Sequence, residues 1–114
     1  MNLTDLYNKA IELNAIAKDL KLANSALSEY QEAAEENYQQ LVKEVDKWQD
    51  KFEMACQLKY FNLAHEALLV RNAYKEEARK LEAVIDKQLA QGIENLATLE
   101  KVNKLIVRIS ELIE

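Results

Sequence analysis

Proline is absent from these 114 residues and glycine occurs once, at Gly92. Sheets need turns, and turns are built mostly from Gly, Pro, Asn and Asp. Ala, Leu, Glu, Lys and Gln, the strong helix formers, dominate instead, so an all-α chain is expected. One cysteine, Cys56, excludes an intramolecular disulfide and fits a reducing compartment. No apolar run approaches the roughly 20 residues of a membrane span. The first residues, "MNLTDLYNKAIEL", lack the basic start of a secretory signal. A cytoplasmic location is therefore expected. A glycine-rich phosphate loop is also missing, which removes support for nucleotide binding.

Charge narrows the partners further. The formal net charge of −5 disfavours nucleic acid, whose backbone is held by clustered Lys and Arg. The imbalance lies in the first half: Met1 to Gln57 holds six Lys against eleven acidic residues, and Leu58 to Glu114 holds nine of each sign.

What is present is a heptad. Every seventh residue from Leu6 reads Leu6, Leu13, Leu20, Leu27, Ala34, Leu41, then Trp48 and Ala55. Four residues after each of the first seven come Ala10, Ala17, Asn24, Gln31, Tyr38, Val45 and Phe52. Together they form a coiled-coil seam without a phase slip. Asn24 and Gln31 are polar seam positions that would fix register while lowering stability. Asn2, three residues before Asp5, marks a helix start. A helix over about 3–57 would be roughly 80 Å long.

A turn over about 58–62, centred near Lys59, would lead into a second helix over about 62–113, with Asn62 as its cap. Its seam includes Ala67, Tyr74, Ala78, Leu81 and Ile85, blurs around Gln88, Gly92 and Asn95, and resumes from Leu99 to Ile113. The expected fold is a long antiparallel helical hairpin, a single helical domain over 1–114. Residue i should lie beside about 118 − i, which sets Ala26 against Gly92. Gly92 then either permits close backbone approach or is a weak point costing about 1 kcal/mol against Ala. The alternative breaks both helices, at Asn24 and at Gly92, and folds the chain back as a four-helix bundle.

The last helical stretch, "LEKVNKLIVRISELIE", has an apolar stripe wider than one partner helix covers. Leu105, Ile109, Leu112 and Ile113 are the candidate self-association residues, and a homo-oligomer is expected. At the turn, Tyr60 and Phe61 with Leu58 are the candidate partner-binding residues, because exposed aromatics dominate binding hot spots. The competing reading is a staple that closes the turn against Leu58 and Leu63. Trp48 and Phe52 are expected to pack in the seam.

No catalytic or metal constellation can be assembled. His65 is the sole histidine, and zinc usually takes three or four donors. A Cys56–His65 nucleophile pair lacks an orienting third group. Glu29, Glu32, Glu35 and Glu36 lack the Glu-x-x-His pattern of di-iron bundles. They should form a solvated face pairing across the hairpin with "EEARK" and Lys87. The chain is read as a non-enzyme that uses no cofactor and no metal.

The segment 46–85 also carries a resemblance. Trp48, Ala55, Leu63, Ala64, Ala67 and Leu68, followed by Arg71, Ala73, Tyr74 and Glu76, fall without a gap on a Trp-to-Tyr pattern. That pattern resembles the hairpin tip of the phage-shock-protein A family, which includes the vesicle-inducing protein of plastids and cyanobacteria. "RNAYKE" brings it nearer the plastid-type branch. The resemblance implies a hairpin that assembles with copies of itself and holds a protein partner in a membrane-maintenance or stress setting. Two departures stand out: "LKYFN" replaces the glycine and polar residues of the family tip, and His65 stands where the family has the Arg of its L-A-R motif. The family's membrane-lying first helix and its later ring-building helices are expected to be missing here. Membrane contact is accordingly expected to be weak. A membrane-associated structural protein that polymerises is the alternative function.

Overall fold

A computed structural model describes residues 2–114. The elements are two α-helices, α1 (Leu3–Gln57) and α2 (Phe61–Ile113), joined by a turn, and there is no strand among the described residues. The fold is the expected all-α helical hairpin. Contacts gather into two units: unit 1 combines residues up to Tyr30 with Gln88–Glu114, and unit 2 is Gln31–Lys87. α1 begins as its sequence indicates. The Asp5 amide donates to Asn2 Oδ1 at 2.9 Å, filling one of the amide positions that the first helical turn leaves open.

Neither Asn24 nor Gly92 breaks its helix. The fold-back bundle is thereby excluded, and the reason is visible in unit 1. Asn24 Oδ1 accepts a hydrogen bond from Asn95 Nδ2 at 2.9 Å, so two polar residues in the seam satisfy each other. Left unpaired and partly buried, each would favour a break. This pair, and Gly92 beside Leu27, set a register in which facing residue numbers add to 119, one more than the sequence suggests. Gly92 therefore meets Leu27 and not Ala26. The core of this unit is Leu13, Ala17 and Val102, with Leu20, Leu99, Ile106 and Ile109 packed against it. Asn95 and Gly92 are half-buried, as is Gln88 at the edge of the unit. The seam of α2 continues through the stretch where apolar residues alone suggest a blur.

Unit 2 contains the turn and is closed by small residues. Its buried side chains are all alanine: Ala34, Ala55, Ala64, Ala67 and Ala78. Alanine at a helix contact lets the backbones approach closely, because interaxial distance follows side-chain size. Larger seam residues, Leu41, Trp48, Phe52, Tyr74 and Leu81, are half-buried beside them. Arg71 lies level with Trp48 and donates to Gln49 Oε1 on the facing helix. No described side chain in either unit is fully buried, so the core is thin.

Charges act locally. The ion pairs among the described residues are Lys9–Glu12, Arg79–Glu76 and Lys104–Glu100, each within one helix. The expected pairing of the acidic face with "EEARK" does not form. Arg79 instead turns back to Glu76, and its hydrogen bond and charge hold that carboxyl below the ordinary range. Glu32, Glu35 and Glu36 line one shallow depression with Glu82 of the facing helix.

A Cβ placed on Gly92 would meet only Leu27 Cδ2, at 3.6 Å, an ordinary van der Waals distance. Replacing Gly92 with Ala should therefore recover the helix propensity that glycine forfeits, about 1 kcal/mol. Urea unfolding followed by circular dichroism measures it; a destabilised variant would mean that the two helices need the space glycine leaves.

Candidate functional site

The turn is built by the end of α1. The Tyr60 amide donates to the Ala55 carbonyl at 2.8 Å and the Lys59 amide to the Cys56 carbonyl at 3.1 Å. These two bonds make a Schellman cap. Its left-handed position is usually glycine; here it is Lys59, with φ of 62°. A side chain there costs roughly 1–2 kcal/mol. α2 then starts at Phe61, and the Tyr60 carbonyl accepts the Ala64 amide at 2.9 Å. Tyr60 thus stands at the cap position that the sequence assigns to Asn62, which lies inside the first turn.

This arrangement pushes apolar side chains outward. Leu58 is 56%, Tyr60 57%, Phe61 67% and Leu63 57% exposed, and Met54 beside them is 62% exposed. A staple would hide part of this set, whereas all of it faces solvent. Met54, Leu58, Tyr60, Leu63 and Val70 line a groove of about 470 Å³ whose inner wall includes Trp48 and Ala55. Lys51 lies 4.1 Å from the Trp48 ring centroid, a cation–π contact that places a positive charge at the groove edge. The Trp48 indole N–H is shielded from solvent and has no hydrogen-bond partner. Phe61 lies outside the groove, in a second shallow depression formed with Lys59, Tyr60, Asn62 and Leu63. Tyr60 belongs to both, so the three partner-binding candidates, Leu58, Tyr60 and Phe61, share one end of unit 2 but line two surfaces.

Sequence reasoning missed Met54, whose position outside the seam was the available signal. It also missed the contribution of Val70.

The self-association candidates separate into two pairs. Ile109 packs on the unit 1 core and Ile113 is half-buried in the same seam. Leu105, 44% exposed, and Leu112, 66% exposed, stay on the surface.

Such a site offers apolar area and aromatic edges and no set of reacting groups. Cys56 is half-buried and His65 exposed, and no hydrogen bond joins them among the described residues. The described residues hold no group of three or more His, Cys, Asp or Glu able to bind a metal ion. No described helix is long and apolar enough to cross a membrane. Comparison of the chain with protein-family models, with curated proteins and with solved structures finds no match.

Because Lys59 occupies a left-handed position, Lys59→Gly should stabilise the hairpin by about 1 kcal/mol. The gain should appear as a higher denaturant midpoint with an unchanged slope. A lower midpoint would show that the Lys59 side chain contributes more than its backbone conformation costs.

Proposed function

We propose that this chain is a non-enzymatic hairpin that assembles with copies of itself and holds a protein partner at the turn, in the manner of the phage-shock-protein A family its tip resembles. One observation carries the reading. The chain exposes 8608 Å², whereas a compact monomer of its 13.2 kDa mass exposes roughly 6,400 Å² by the usual scaling. The excess is about 2,200 Å², more than the ~800 Å² each partner contributes to an ordinary stable interface.

Large apolar side chains stand exposed in both units. Five exposed large side chains, Met54, Leu58, Tyr60, Phe61 and Leu63, gather at the turn. Most of the others, among them Tyr7, Ile11, Leu96, Leu105 and Leu112, belong to unit 1. The group at the turn favours a contact surface over incidental exposure. The division suggests two roles, partner capture by the turn and self-assembly by unit 1.

Sedimentation equilibrium of the full chain should show a species larger than a monomer at micromolar concentration; a monomer at every concentration would remove the self-assembly half. In a pull-down from the native host, Tyr60→Ser with Phe61→Ser should lose the captured protein while helicity stays unchanged. Capture equal to the parent chain would remove the tip half.

A further inference from the structure

We infer that the surface on which a second copy docks is one flank of unit 1, formed by Glu12, Ile16 and Asp19 of α1 with Lys101, Leu105 and Arg108 of α2. This rests on the self-association proposed above and names its face. Ile16 follows the buried Leu13 by three residues, and Leu105 follows the buried Val102 by three. Equal offsets from the seam in two antiparallel helices lie on the same side of the pair. Ile16 is 39% and Leu105 44% exposed, and Leu112, one heptad on, is 66% exposed. These apolar positions border the seam, so a helix laid along the flank would extend the core and not start a separate one.

The flanking charges identify that helix. Glu12 and Asp19 are one heptad apart on α1; Lys101 and Arg108 are one heptad apart on α2. All four are exposed. Asp19, Lys101 and Arg108 form no ion pair among the described residues, and Glu12 pairs only with Lys9 at 3.6 Å. A two-fold axis parallel to the helices sets α1 of one copy antiparallel to α2 of the other at an unchanged level. The register within the chain, facing numbers adding to 119, then applies between copies as well. Within one residue of that register, Glu12 faces Arg108 of the second copy and Asp19 faces its Lys101. The symmetry repeats both pairs, giving a closed, self-complementary contact.

The opposite side exposes more apolar side chains, Tyr7, Ile11, Leu89, Ile93, Leu96 and Val107. At the same register, however, it offers one complementary charged pair, Lys18 with Glu100, and Glu100 is already paired with Lys104 at 3.2 Å. The occupant assigned to the first flank is therefore a second copy, in a four-helix arrangement made by two chains.

Charge reversal tests the assignment. One variant carries Glu12→Lys with Asp19→Lys, the other Lys101→Glu with Arg108→Glu. All four positions are exposed, and circular dichroism checks that both variants keep their helices. In sedimentation velocity, each variant alone should associate at least about tenfold more weakly than the parent, because like charges then face each other. An equimolar mixture should regain the parent's association, since each contact in the mixed pair is complementary. Leu105→Ser with Leu112→Ser should weaken association in its own right. If the parent associates and both reversed variants associate equally well, this face is wrong and self-assembly stands. If Leu96→Ser with Val107→Ser abolishes association where the reversals do not, the second copy lies on the opposite side. A monomeric parent overturns the inference together with the reading beneath it.

Discussion

Everything in this fold depends on the seam between two helices, because nothing else removes apolar surface from water. A globular core surrounds its central side chains; a helix pair touches each seam residue from one side. No described side chain is accordingly fully buried, and apart from Leu13 and Val102 the buried residues are alanines. Where unit 2 uses Ala64 and Ala67, at 4% and 5% exposure, close approach replaces bulk. Where unit 1 uses Leu13 and Val102, bulk does the shielding and the flanks stay open. Dispersion and area burial are both modest per residue in such a pair. Stability must come from many equivalent positions or from further chains.

Much of this was legible in the residue order. A period of seven from Leu6 to Ala55 identifies the first helix, and the structure places all of those residues, including Asn24 and Gln31, at half-buried or buried positions. The second seam was legible only where it is apolar. From Ile85 the spacing continues through Gln88, Gly92, Asn95 and Leu99 without a slip, yet hydrophobicity alone cannot register a glutamine, a glycine or an asparagine as seam. Their partners supply the missing information: Asn95 is tolerated because Asn24 faces it. That is a property of two segments far apart in the chain, which no local window contains.

The turn illustrates a different limit. Glycine is the usual signal for a left-handed cap, and the sequence has Lys59 there instead. The reversal could be placed by equal arm lengths but not by turn chemistry, which explains the error of one residue in the register and of one residue in the start of α2. The exposure of Leu58, Tyr60 and Phe61 follows from that geometry: a cap made by backbone hydrogen bonds needs no side-chain staple, so these side chains are left outside. Their proximity was visible in sequence, whereas their division between two surfaces depends on the direction each leaves the cap.

Electrostatics completes the argument by what it does not do within the chain. All the ion pairs among the described residues join neighbours on an exposed face of one helix, where solvent screens them and they contribute little. Register within unit 1 is set by a neutral hydrogen bond between two asparagines and by the packing around it. The tether of a three-residue turn already forces the two arms together, so charge complementarity has little to add inside one molecule. Between molecules there is no tether, and orientation must be chosen from many. Charges spaced by heptads along an exposed flank can discriminate there, since wrong registers set like charges side by side. On the self-assembly proposed above, an acidic α1 and a balanced α2 would supply that discrimination, which the tethered hairpin alone does not need.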